Sequence, residues 1–382
     1  MTGPLNGVRV IDLTTVVSGP SATMVLADQG ADIIKVEAPS GDFARHVATR
    51  RGGFSAAFLN NNRNKRSIVL DLKRPEDFDT LLDLLKDADV IVSNFRPGVM
   101  ERLGLGEQRV REINPTIVYA LITGFGFTGP YADKPVYDPL IQAVSSLTTV
   151  QAGSDSERPK LVRTILPDKL TGVQASQAIT AALFARARTG EGQSVRLSML
   201  DTIIYFLWGS DMGGHTFVGE ESEQEEAQSF IDLIYEVRDG YVSIAVMQDK
   251  QWKTFCEAVN NPGLLDDERF ATAELREINK NARLEEIQKA VIGFGSEEIL
   301  GKLEKSGVPC APVLTRTQMR NHPQVEANGI IIESSHPDAG PLRQARSPAV
   351  FSGAPAEIRM GAPKLGEHTE EILSELQNGK SR

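Results

Sequence analysis

The chain of 382 residues is long enough for two domains, and its 41% hydrophobic content supplies a full core. A formal net charge of −10 argues against a general nucleic-acid binder, whose footprint would be basic, and leaves room for a local basic pocket. Cys256 and Cys310 lie far apart without metal-ligand spacing, no apolar run reaches spanning length, and the first residues do not resemble a leader. The expectation is a cytoplasmic protein with buried thiols, no metal and no membrane partner.

Residues 7–13 predict a short apolar strand, residues 21–29 a helix stopped by Gly30, and residues 31–37 a second strand. A βαβ unit of this length implies parallel strands. Its first turn lacks the Gly-x-Gly-x-x-Gly fingerprint, which sets a nicotinamide dehydrogenase aside. Residues 39–65 form a long polar connection rich in Gly, Asn and Arg, functional or mobile by its length. Further strands are predicted at 67–72, 90–92, 116–122 and 193–199, and an amphipathic helix at 75–87 begins on Pro75. Strands alternating with helices give an α/β, doubly wound sheet. The Gly/Pro/aromatic loop 124–139 follows the C-terminal end of a strand, where such sheets bind ligands.

The composition changes near residue 219. Glu220, Glu221, Glu223, Glu225 and Glu226 read as a solvated acidic loop and a domain boundary. Beyond it, residues 233–237 and 241–246 flank Arg238-Asp239-Gly240, a hairpin signal. Helical segments follow at 250–259, 283–292 and 296–305, then a short strand or loop at 308–313 and a last helix after 362–369. This is the pattern of a smaller α+β domain.

One stretch stands out for chemistry. Leu166-Pro167-Asp168-Lys169-Leu170-Thr171-Gly172 leads into a helix predicted from Thr171 to Arg188. That helix carries Gly172, Ala175, Ala178, Ala181, Ala182 and Ala185, small residues that allow close packing. Asp168 falls at its N-terminal end, where free N–H groups favour an anion. Position alone leaves open whether it caps the helix or serves as an ionised nucleophile.

Several motifs stand in order along the chain. They are Gly7-Val8-Arg9-Val10-Ile11-Asp12-Leu13 with Gly19-Pro20, Gly30-Ala31-Asp32-Ile33-Ile34-Lys35-Val36-Glu37, and Asn62-Arg63-Asn64-Lys65-Arg66-Ser67. Leu70-Asp71-Leu72-Lys73, Asn94-Phe95-Arg96-Pro97-Gly98, Asp168 with Thr171-Gly172, Ala182-Leu183 with Arg188-Thr189-Gly190, and Leu365-Gly366-Glu367-His368-Thr369 continue the series. Together they give the chain a resemblance to the family III CoA-transferases. The resemblance implies a large Rossmann-like CoA-binding domain whose N-terminal part is 1–219, a small α+β domain at 220–325, and a segment 326–382 returning to the large domain. It also implies a homodimer of ring-shaped, interlocked subunits.

For the site, the resemblance implies that Asp168 is the catalytic nucleophile, with Tyr137 and Asp138 beside it. Coenzyme A, as substrate and product thioester, would be bound by Val16, Val17, Ser18, Leu70, Lys73, Asn94, Phe95 and Arg102. Lys73 and Arg102 would pair with its phosphates and Phe95 would pack on the ligand. Ala38 stands where formyl-CoA transferase has an arginine, so adenine contacts there must differ. The acidic run replaces that enzyme's glycine-rich loop, which argues against formate and oxalate.

The implied reaction moves CoA from an acyl-CoA to a free carboxylic acid through aspartyl anhydride and aspartyl-CoA thioester intermediates. A related α-methylacyl-CoA racemase would need a histidine near position 137. The chain has Tyr137 there, and tyrosine, ionising at about pH 10, is a poor base at neutral pH. A non-catalytic CoA-binding subunit is the other alternative, and the presence of Asp168 argues against it. The sequence does not choose the acyl donor or the acid acceptor.

Overall fold

A computed structural model describes residues 3–47, 49–219 and 231–379. The acidic run at 220–226 lies outside the described residues. The chain divides into two compact units. One comprises Met1–Thr148, Lys160–Glu221 and Asn328–Arg382, the other Thr149–Pro159 and Ser222–Ala327.

The first unit is built on six parallel strands. These are β1 (Arg9–Asp12), β2 (Asp32–Glu37), β3 (Lys65–Val69), β4 (Val90–Ser93), β5 (Val118–Thr123) and β6 (Ser194–Ser198). Their order is β3-β2-β1-β4-β5-β6. The direction of winding reverses between β1 and β4, and in sheets of this kind the crevice at that reversal takes the ligand.

Neighbouring residues on each strand enter opposite layers. Ile11, Ile34, Ile91 and Tyr119 face one core, with Leu81, Leu84 and Leu85 of α2 (Pro75–Lys86). Val10, Ile33, Val90 and Val118 face the other, with α1 (Ser18–Asp28) and α4 (Leu166–Thr189). A parallel sheet is covered on both faces for this reason, and its strands read as near-continuous apolar runs. On α4 the buried face is Gly172, Ala175, Ser176, Ile179, Ala182 and Leu183. A Cβ at position 172 would run into the Ser21 hydroxyl and the Ser18 carbonyl, so glycine sets how closely α1 and α4 pack.

Two sequence expectations shift. The strand expected at 67–72 starts at Lys65, because the Lys65 ammonium is fully buried and paired rather than solvated. The connection 39–65 is not a bare loop. It holds a short hairpin, Arg50–Arg51 with Phe54–Ser55, and a helix, Ala56–Asn61, capped by the Ser55 hydroxyl.

The C-terminal segment packs on this same unit. Asn64 binds the backbone of Glu357, Arg359 and Met360, and Arg66 pairs with Glu371 and Glu375 of α9 (Thr369–Gln377). Ile372 of α9 is fully buried in the core beside Ile68.

The second unit has an antiparallel sheet of β7 (Ile234–Val237), β8 (Gly240–Ile244) and β9 (Cys310–Pro312). Helices α6 (Asp249–Ala258), α7 (Lys280–Val291) and α8 (Ser296–Lys305) cover it. Its core holds Tyr235, Trp252, Phe255, Phe270 and Leu284. Both cysteines are free; Cys256 is buried and Cys310 partly so, and burial raises both thiol pKa values, Cys256 to about 11. Among the described residues, no helix is long and apolar enough to cross a membrane.

Candidate active site

The helix α4 begins at Leu166, earlier than the small-residue pattern suggested, because Pro167 fits a first turn that needs no N–H from it. Asp168 is therefore inside the first turn and is not the N-cap; Ile165 holds that position and offers no capping group. The missing cap comes from elsewhere. Asp138 Oδ2 accepts the Asp168 N–H at 3.1 Å. Asp138 opens α3 (Asp138–Val144), which the sequence reading had as the end of a loop.

Asp138 is itself buried and held by a residue that sequence reasoning missed. Gln142, one helical turn on, donates from Nε2 to Asp138 Oδ1 at 2.7 Å. Its Oε1 accepts the Val162 N–H at 2.9 Å, and its Nε2 also reaches the Thr164 carbonyl at 3.2 Å. Gln142 thus ties Asp138 to the strand of backbone that delivers Asp168. Tyr137 caps α3 through its backbone, but its side chain is 72% exposed and stands outside this network.

Burial, and then the negative charge of Asp138, raise the Asp168 carboxyl from 3.8 to about 6, while hydrogen bonds from the Ser18 N–H and hydroxyl act in the opposite direction. The result is a carboxylate more basic than usual and still mostly ionised at neutral pH.

Ser18 is brought there by the loop after β1. Val16 adopts φ 71°, a left-handed conformation that a β-branched side chain resists. The loop is pinned on several sides. Asn94 Oδ1 accepts the Thr15 N–H at 2.9 Å and its Nδ2 donates to the Thr15 carbonyl at 2.8 Å. Asp42 Oδ1 accepts the Val16 N–H at 3.1 Å. The Lys35 ammonium donates to the Thr14 carbonyl at 2.7 Å and to Asp42 at 3.0 Å. The Lys65 ammonium reaches the Pro20 carbonyl at 2.9 Å and Asp12 at 3.1 Å.

These charges are wholly buried and tune one another. Burial opposes ionisation of Asp12, but Lys65, Lys35 and the Thr14 and Thr23 hydroxyls outweigh it and hold its carboxyl below the usual range. For Lys65, burial dominates and the charge of Lys35 adds to it, so the ammonium is lowered to about 8. Breaking such a pair by removing one partner would strand the other charge.

The residues expected to bind CoA fall into two groups. Val16, Val17, Ser18, Asn94 and Phe95 meet at the reversal between β1 and β4, and Asn94 spends its amide on the loop. Leu70 and Lys73 follow β3 on the same sheet edge. Leu70 is buried in the core, so only its backbone can face a ligand. Lys73 and Arg102 are exposed, and neither forms an ion pair among the described residues. Exposed cations without a partner suit phosphate groups.

The profile of CoA-transferase family III matches residues 5–369. The chain belongs to CoA-transferase family III. It is an enzyme that transfers CoA between acyl-CoA thioesters and carboxylic acids, its substrates being CoA thioesters and acids. It is 35% identical to the succinate–glutarate CoA-transferase of Agrobacterium fabrum, over 98% of this chain and 96% of that one. It is also 35% identical to the acetyl-CoA:oxalate CoA-transferase of Acetobacter aceti, with the same coverage of 98% and 96%. Among solved structures, a CAIB/BAIF family protein from Brucella suis superposes with TM-score 0.85 at 32% identity, covering 98% of this chain and all of its own.

Proposed function

We propose that Asp168 is the nucleophile of this CoA-transferase. A carboxylate oxygen attacks the carbonyl carbon of the acyl-CoA, the carbon–sulfur bond breaks, and CoA leaves as thiolate. The thiolate attacks Asp168 Cγ, the bond from Cγ to the anhydride oxygen breaks, and the donor acid departs. An aspartyl-CoA thioester remains. The acceptor carboxylate then attacks that Cγ, expels the thiolate and forms a second anhydride. Attack of the thiolate on the acceptor's acyl carbon completes the new thioester and restores Asp168.

The observation that carries this reading is the partly buried Asp168 carboxylate on the first turn of α4, its N–H held by Asp138 Oδ2 at 3.1 Å, with burial and the charge of Asp138 raising it to about 6. A carboxylate is a weak nucleophile, so desolvation and orientation must supply what basicity does not. Asp138 is assigned the positioning of the Asp168 backbone and part of the rise in basicity. Tyr137 is assigned the rim of the site. Lys73 and Arg102 are assigned to the CoA phosphates, Val16, Val17, Ser18, Leu70 and Asn94 to its contacts along the sheet edge, and Phe95 to packing against it.

The acids we propose are dicarboxylates of the length of succinate and glutarate. The name of the Agrobacterium fabrum relative, which involves both, supports this. So do the exposed cations Arg163 and Lys169, which flank Asp168 in sequence and suit a second carboxylate.

The proposed assembly is a homodimer with interlocked subunits. Tyr205, Phe206 and Trp208 of α5 (Met199–Trp208), with Phe184, Phe217 and Val218, leave large apolar side chains exposed on the first unit. A surface of that kind fits a protein partner, here a second copy.

The deciding experiment is CoA transfer by Asp168→Asn. The variant should fold and lose transfer, because an amide oxygen cannot form the anhydride. Transfer at the wild-type rate would leave Asp168 structural.

A further inference from the structure

We infer that the buried Lys35–Asp42 pair positions the coenzyme A loop: its bonds to the Thr14 carbonyl and the Val16 N–H hold Val16 in the left-handed conformation in which the loop binds CoA. The inference rests on the reading of Val16, Val17 and Ser18 as CoA contacts.

Val16 lies between the end of β1 and the start of α1, with φ 71°. Glycine takes that conformation readily, and a β-branched side chain does not. The helix does not impose it, because Val17 at the N-cap has no side chain that could cap the first turn. It is imposed from the neighbouring strand. Lys35 of β2 donates to the Thr14 carbonyl at 2.7 Å and to Asp42 Oδ2 at 3.0 Å. Asp42 Oδ1 accepts the Val16 N–H at 3.1 Å and the Ala44 N–H at 2.9 Å. Asp42 has no freedom to move away. Its own N–H donates to Glu37 Oε2 at 3.0 Å. Glu37 is gripped in turn by Arg45 Nε at 2.8 Å and by the Ser67 hydroxyl at 2.8 Å, and Arg45 donates to the Pro363 carbonyl at 3.0 Å.

Both side chains of the pair are fully buried. A buried ion pair adds little net stability over apolar residues of the same size, because desolvation offsets the attraction. Apolar residues at 35 and 42 would fill the space as well. They would supply neither a donor for the Thr14 carbonyl nor an acceptor for the Val16 N–H, two residues apart on a strained turn. Without the pair, Val16 relaxes toward negative φ and the binding-competent loop becomes a minority. The apparent dissociation constant then rises by the inverse of that minority's population.

Asp42→Ala removes the acceptor, and Asp42→Ala combined with Lys35→Met removes the pair without stranding a charge. In whichever folds, titration calorimetry with free CoA should show binding weakened about 5–30-fold, the cost of restoring one left-handed residue that is not glycine. The KM for the CoA ester should rise with it, and kcat should change less. In a Val16→Gly background the same removal should weaken binding by about 2-fold or less, because glycine populates positive φ as readily as negative. The effect of Val16→Gly itself cancels in that comparison. A merely structural pair would lower Tm alike in both backgrounds and leave CoA binding by the folded protein unchanged. Unchanged binding, or equal weakening in both backgrounds, overturns the inference. Should neither variant fold, wild type decides by hydrogen exchange: the Val16 N–H should exchange slowly before CoA is added, and fast exchange there overturns the inference. CoA should then slow exchange at Val17 and Ser18. If it does not, the reading of the loop as a CoA contact fails first; if it does, and the variants bind CoA as wild type, only the role of the pair fails.

Discussion

The site should be bought at a cost in stability, and Asp168→Asn measures that cost. In the folded protein the Asp168 carboxyl ionises near 6, against 3.8 for an ordinary aspartate. Between these values the folded state holds more protons than the unfolded one, so stability falls as pH rises through the window and the full cost is present above it. A rise of about two units corresponds to about 3 kcal/mol, and solvent screening at a partly exposed site reduces that to about 1–2 kcal/mol. Asparagine removes the charge, keeps the shape and retains the backbone N–H that Asp138 accepts. Asp168→Asn should therefore be more stable than wild type by about 1–2 kcal/mol near pH 7, a rise in Tm of about 1–3 °C for a chain of this length. Calorimetric scans at about pH 7 and about pH 4 test this, because the difference should shrink to a small fraction at the lower pH, where the folded aspartate is protonated and the unfolded one is about half so. A variant less stable than wild type near neutrality, or a difference that does not depend on pH, would refute the assignment of a strained charge to Asp168.

Asp138→Asn removes a negative neighbour, so the acid limb of the pH–rate profile should fall below about 6, as a pH series of initial rates would read. Lys73→Ala or Arg102→Ala should weaken CoA-ester binding by about 1–3 kcal/mol, with the salt dependence of the dissociation constant reduced; unchanged calorimetric titrations would remove them from the phosphate site. Mixed tagged and untagged dimers should not exchange subunits under native conditions, and rapid exchange seen by pull-down would contradict the interlocked assembly.

Much of the sheet is legible because its strands are buried on both faces and read as apolar runs between turn residues. The helix Ser296–Lys305 of the second unit also coincides with its apolar spacing. What escapes the sequence is polar and non-local. Lys65 looks like the end of a solvated loop, yet its ammonium lies inside a charge cluster assembled from β1, β2 and the loop after each. Asp168 reads as a cap because it precedes a run of small residues, while the group that caps its turn is Asp138, thirty residues away in the chain. Asp138 and Gln142 stand one helical turn apart, a spacing that hints at pairing, but a Tyr-Asp-Pro turn masks the helix they share. Ser18 is implied by the resemblance as a CoA contact; its place beside the first turns of α4 depends on the close packing of α1 at Gly172, which no local pattern records.

The central claim is that the enzyme passes through a covalent intermediate on Asp168. Mass spectrometry of wild-type enzyme mixed with an acyl-CoA in the absence of acceptor tests it most directly. The account predicts a CoA adduct on the peptide containing Asp168, converted by hydroxylamine to a hydroxamate at that residue and absent from Asp168→Asn. Steady turnover with no adduct on Asp168, or an adduct on another residue, would contradict it.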